Sequence, residues 1–140
     1  MNELQKQYNL GERTAKFGES IIEFCETIKL DPISQPLIGQ LVRSGTSIGA
    51  NYAEANAASS KRDFRNKIFT SKKEAEETIH WLRMVLKYIP DRKNQVATLQ
   101  KEVQELTLIF GKILSTLHKN SNSKLSHSTL NRNSSFDVRN

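Results

Sequence analysis

A regular spacing of apolar residues near the C-terminal end of the chain constrains the fold more than any other sequence feature. The steps alternate between three and four residues without interruption, through Val96, Leu99, Val103, Leu106, Phe110, Ile113 and Leu117. Residues spaced in this way share one face of an α-helix, and such a face packs against other helices at the shallow crossing angle of bundles and coiled coils. The pattern therefore predicts a long amphipathic helix that needs helical partners.

Three earlier segments carry similar stripes and can supply those partners. The first helix is predicted over residues 11–28, the second begins near Ser34, and the third is capped by Ser59 or Ser60, while Pro32 and Pro90 mark two of the breaks. The inward residues are Leu10, Thr14, Phe17, Ile21, Phe24 and Ile28 in the first; Leu37, Leu41, Ile48, Tyr52 and Ala55 in the second; Phe64, Ile68, Ser71, Ala75, Leu82 and Ile89 in the third. No strand pattern competes, so we predict an all-α fold, an antiparallel up-and-down four-helix bundle over residues 1–118.

The last part of the chain has a different composition. Residues 119–140 are rich in Asn and Ser and contain few apolar side chains. Such a segment buries too little apolar surface to offset the entropy lost on ordering. We therefore predict a disordered polar tail from residue 119 and a single folded domain before it.

Composition also narrows the class of protein. Cys25 is the only cysteine, so no internal disulfide or thiolate metal cluster is possible, and its place in an apolar stripe predicts a buried side chain. No run of about 20 apolar residues is present, and the N-terminal residues do not resemble a secretory signal. We expect a cytoplasmic protein without a membrane span.

Catalytic and metal-binding patterns are weak. Glu77 and His80 form one E-x-x-H motif, but bundles that bind paired metals use two such motifs, and both residues point away from the inward stripe. His118 and His127 lie at the end of the last helix and in the tail, and no Gly-rich phosphate loop is present. The sequence predicts no enzyme, no metal and no cofactor.

Small residues in the second helix suggest close packing. Gly45, Gly49 and Ala53 follow one another at four-residue steps and form a ridge that another backbone can approach closely. The alternative is a ligand groove lined by Ser47, Asn51 and Glu54.

Basic residues collect on one flank of the third helix, in a chain of net charge +6. Lys61, Arg62, Arg65, Lys72 and Lys73 lie within about 120° of one another around the helix axis. Such a flank can bind phosphates, although it can equally be a solvated face. We identify no aromatic residue interleaved for base stacking, which predicts little sequence discrimination.

Apolar residues outside the stripes indicate an interface between copies. Trp81 lies beside polar residues of the third helix, and Leu108 and Ile109 lie outside the stripe of the fourth. Buried aromatic residues dominate protein interfaces, so these three predict a homo-oligomer, unless Trp81 only covers the core of its own chain.

Several segments together resemble the 23S rRNA-intervening sequence protein family. The matching segments are residues 40–51, 53–55, 60–64, 74–75, 77–78 and 81–82. The resemblance runs from about residue 10 to residue 117 and implies a four-helix bundle that assembles as a closed ring of five, with no catalytic residues. A related branch resembles accessory proteins of diversity-generating retroelements, which bind nucleic acid and a reverse transcriptase.

Two functions remain open from the sequence. The favoured one is a homo-oligomeric bundle that binds RNA or DNA through the basic flank. The alternative is a protein adaptor or scaffold, for example for a reverse transcriptase, with an incidental basic face.

Overall fold

The computed structural model describes residues 9–133, with side chains described to residue 128, and within that range it contains four α-helices and no strand. The helices are α1 (Leu10–Glu26), α2 (Ser34–Asn56), α3 (Lys61–Tyr88) and α4 (Lys93–Asn133), with a 3-10 turn at Pro90–Arg92. Each helix packs against the next one in sequence, and α4 returns to contact α1. The predicted all-α four-helix bundle is confirmed.

The N-terminal ends of α2 and α3 are set by short-range hydrogen bonds. Asp31 Oδ1 accepts from the backbone N–H groups of Ile33 and Ser34, both at 2.8 Å, so Asp31 holds the start of α2. Ser34, the predicted cap, is already helical, and its hydroxyl instead accepts from the Asp31 N–H at 2.8 Å. The Ser60 hydroxyl caps α3 as predicted, accepting from the Asp63 N–H at 3.0 Å.

The core follows the predicted stripes closely. All six inward residues predicted for the first helix are buried, with Ile28 just beyond the end of α1, and the stripe of α4 is buried from Val96 to Phe110. Burying each large aliphatic or aromatic side chain contributes about 1.5–3 kcal/mol to the free energy of folding. Cys25 is also buried, and this burial raises the pKa of its thiol to about 11.

The buried hydroxyl groups are all satisfied in the described part of the chain, where no buried side-chain N or O atom lacks a hydrogen bond. Two of these bonds connect α2 and α3. The Ser71 hydroxyl donates to the backbone oxygen of Ile48 at 3.1 Å, and the Thr78 hydroxyl donates to Ser44 Oγ at 2.9 Å. Thr78 also bonds within α3, to the backbone oxygen of Glu74 at 2.7 Å, so it stays paired without α2. An unpaired hydroxyl in the core costs about 1–3 kcal/mol, so the Ser71 bond favours the observed register of the two helices.

Glycines on the opposite side of α2 let α1 approach closely. A Cβ atom at Gly45 would lie 2.9 Å from Ile21 Cγ1, and one at Gly49 would lie 3.3 Å from Thr14 Oγ1. Ala53, the third member of the predicted ridge, is exposed and lines a shallow groove between α1 and α2. The two glycines therefore form the contact itself, and Ala53 lies at its edge.

Helix α4 is longer than the sequence predicted. It continues to Asn133, whereas the tail was predicted to begin at residue 119. Residues 119–128 are all exposed, in keeping with their polar composition, and residues 134–140 of the predicted tail lie outside the described residues. Extending an existing helix costs far less than nucleating a new one, so a polar segment can remain helical without burying apolar surface.

The Gly45 contact predicts a selective loss of stability. Gly45→Ala places a methyl group against Ile21 and should lower the free energy of unfolding by about 1–3 kcal/mol. Gly39→Ala is the matched control in the same helix, because a Cβ there meets no atom within 4 Å and should stabilise the helix by about 0.5–1 kcal/mol. Urea unfolding of both variants measures the difference. Equal stability of the two variants would contradict the close approach.

The exposed extension of α4 should contribute little to stability. Truncation after Lys119 removes no residue of the buried core, so the thermal midpoint should stay within a few degrees of the parent. Circular dichroism at 222 nm follows the unfolding. A loss of more than about 10 °C would show that the extension is packed against the bundle.

Candidate nucleic-acid-binding surface

The two flanks of α3 differ in how their charges are paired. On the flank facing α2, Lys67 forms an ion pair with Glu54 at 2.5 Å. Arg43 of α2 pairs with Glu74 at 3.2 Å and also with Glu77. Glu74 and Glu77 of this flank are therefore paired with a cation of α2, and Lys67 with one of its carboxylates.

A groove with basic walls lies on the other flank, between the start of α3 and the extension of α4. Its volume is about 800 Å³. Lys61, Arg62 and Arg65 line it from α3, and Lys124 lines it from α4. The other lining residues are small, polar or apolar, namely Ala58, Ser59, Ser60, Phe64, Leu117, Asn120, Ser121 and Ser123. Among the described residues no acidic side chain lines the groove, so its cations can bind an anion.

Two of the groove cations repel each other. The neighbouring Lys61 ammonium group lowers the pKa of Lys124. Like charges raise the free energy of the protein when they are brought together, and an anion placed between them removes that cost. The arrangement favours a negatively charged ligand over a neutral one.

The five predicted basic residues are not equivalent. Lys61, Arg62 and Arg65 line the groove, whereas Lys72 is paired with Glu76 at 2.8 Å and its side chain lies close to Gly111 of α4. Lys73 is exposed further along α3 and does not reach the groove lining. Lys124 was missed because the sequence analysis placed it in the tail. Its place four residues after Asn120 and seven after Leu117, in the three-and-four spacing of the stripe, was the available signal.

The interpretation that no aromatic residue accompanies the cations is wrong. Phe69 lies in the same part of α3 and 53% of its surface is exposed. It follows Arg65 by four residues and precedes Lys73 by four, so the three side chains share one face of the helix.

The three predicted interface residues have different surroundings. Trp81 and Ile109 are partly buried against the core of their own chain, and the Trp81 indole N–H donates to Glu77 Oε1 at 3.2 Å. Leu108 is 74% exposed on the outer face of α4. Leu108 is therefore the member of this set with most of its surface free for a contact.

The remaining candidates are engaged within single helices or ion pairs. The Ser47 hydroxyl donates to the backbone oxygen of Arg43 at 2.6 Å, and the Asn51 amide donates to that of Ser47 at 2.9 Å. Glu54 pairs with Lys67, so the three polar side chains of the alternative ligand groove have partners within the chain. His80 packs edge-on against Trp81, with ring centroids 4.9 Å apart.

Among the residues described, no three metal-ligating side chains form a cluster. The described helices also include none with the length and apolar composition of a membrane span.

Comparisons with known proteins agree with the fold. A solved structure from Bacteroides thetaiotaomicron, described as a protein of unknown function from the S23 ribosomal protein family, is 28% identical and superposes with a TM-score of 0.66. The match covers 74% of this chain and 96% of the other. No curated protein matches significantly. Residues 6–112 match the profile of the family described as 23S rRNA-intervening sequence protein. The chain therefore belongs to the 23S rRNA-intervening sequence protein family.

Proposed function

We propose that the protein is a non-enzymatic nucleic-acid-binding bundle that holds RNA or DNA in the basic groove. The observation that carries this proposal is the convergence of Lys61, Arg62, Arg65 and Lys124, from two helices, on one groove that no acidic residue of the described part of the chain lines. Phosphate contacts of this kind supply most of non-specific affinity for nucleic acid.

The expected recognition is weak in sequence preference. Lysine and arginine side chains on a helix flank contact phosphates, which carry no direct sequence information. Each neutralised phosphate releases counterions, so affinity should fall with salt with a slope of roughly 0.9 per contact on duplex DNA.

The binding test replaces groove cations by acids. Arg62→Glu, Arg65→Glu and Lys124→Glu together should reduce affinity at least tenfold and lower the salt slope, because three phosphate contacts become repulsive. Fluorescence anisotropy with mixed-sequence RNA and DNA oligonucleotides, read over a salt series, measures both quantities.

A matched control changes the net charge equally at a distance from the groove. Lys29, Lys93 and Lys101 are exposed, and their triple replacement by glutamate leaves the groove intact. Equal losses of affinity in the two triple variants would show that the net charge of the protein, and not the groove, determines binding. Failure of the parent to bind RNA and DNA at low salt would favour the protein adaptor.

We further propose that the protein is a homo-oligomer, with five copies as the number that the resemblance implies. A closed assembly would repeat the groove and convert weak single contacts into stronger binding. Leu108, with 74% of its surface exposed, supports an interface on the outer face of α4.

Multi-angle light scattering should show about five times the monomer mass for the parent. Leu108→Glu should lower that mass, because it introduces a charge into an apolar contact. Leu30→Glu is the control, since Leu30 is also exposed, at 56%, but lies in the connection between α1 and α2. A monomeric parent at micromolar concentration would overturn the assembly.

A further inference from the structure

Phe69 is an aromatic side chain that the monomer does not use. It is 53% exposed on α3, and it is absent from the partly buried residues that pack against the core. Its neighbours Ile68 and Ser71 point into the bundle and are fully buried, so Phe69 must face outward as long as α3 keeps its packing. The phenyl ring is therefore presented to solvent by a rigid helix.

Three basic residues share the face of α3 that carries this ring. At about 100° per residue, Arg62, Arg65 and Lys73 lie within about 40° of Phe69 around the helix axis. Arg65 and Lys73 are each four residues away, where helical side chains are neighbours. The one acidic residue near this face, Glu76, is paired with Lys72 at 2.8 Å, so the surroundings of the ring remain positive.

A single exposed phenyl ring is common on protein surfaces, and apolar partners of many kinds can cover one. The cations on both sides of the ring disfavour an apolar protein partner, because an apolar surface would leave Arg65 and Lys73 without partners. A ligand that carries flat aromatic groups between negative charges matches both features. Nucleic acid with unpaired bases has this chemistry.

We propose that Phe69 is a base-stacking platform and that single-stranded nucleic acid is the preferred ligand of the basic groove and the adjoining face of α3. The inference rests on the proposed function and adds to it the class of strand. Bases in a duplex are stacked on one another and hidden from the ring, whereas unpaired bases can stack on Phe69 while phosphates contact Arg65 and Lys73.

The test compares single-stranded with duplex ligands, and Phe69 with a non-aromatic side chain at the same position. Phe69→Leu keeps an apolar helix-forming residue but removes the aromatic face, and it should weaken binding of a single-stranded oligonucleotide about five- to hundredfold. Binding of a duplex of the same length should change less than twofold. Single strands of RNA and of DNA are both measured, and Leu30→Ala, in the connection between α1 and α2, serves as the control for loss of an exposed apolar group.

Phe69→Trp provides a second, direct measurement. The indole should restore single-strand affinity, and its fluorescence should be quenched when a base stacks on it, after subtraction of the signal from Trp81 in the parent. Restored affinity without quenching would overturn the stacking contact.

The outcomes separate this inference from the proposed function. If Phe69→Leu binds single strands like the parent while the groove triple variant does not, stacking is wrong and the phosphate-binding groove stands. Equal losses for single strand and duplex would also overturn stacking, because they indicate a general effect on the surface. If the parent binds neither strand type at low salt, both proposals fail.

Discussion

Helix α2 packs against α1 through glycines that leave no room for a larger side chain, and against α3 through buried hydroxyl groups. Gly45 meets Ile21 on one side, and on the other the buried hydroxyls of Ser71 and Thr78 reach α2 directly. The Ser71 hydroxyl donates to the backbone oxygen of Ile48, so α3 cannot rotate or slide past α2 without leaving that buried hydroxyl unpaired. The outward direction of its basic flank follows from that constraint.

The same packing determines which charges of α3 have partners of opposite sign. The flank beside α2 is held by Arg43 and by the Lys67–Glu54 pair, so most of its charges have opposite partners. The flank beside α4 meets a helix that offers Leu117, Asn120 and Lys124. Packing thus leaves one side of the helix electrically balanced and the other with excess positive charge. A ligand that supplies negative charge completes the second side.

Much of the fold could be predicted from the sequence because periodic burial determines it. The spacing of residues close together in sequence predicts the buried stripes of α1 and α4 and the Ser60 cap. The end of α4 was not predictable in this way, since a helix can continue without burial once it has formed. Because the tail was predicted to begin at residue 119, Lys124 was left out of the candidate site. Phe69 was missed for another reason: its spacing from Arg65 and Lys73 is visible, but exposure of an off-stripe aromatic depends on neighbouring helices.

One wall of the groove consists of a helix that has no tertiary support on its outer side. Residues 119–128 are exposed throughout, so the opening of their backbone hydrogen bonds requires no separation of the bundle. Their amide hydrogens should exchange with solvent much faster than those of Val96 to Phe110. The groove therefore joins a rigid side, set by the core, to a compliant side whose position can adapt to the width of what enters it.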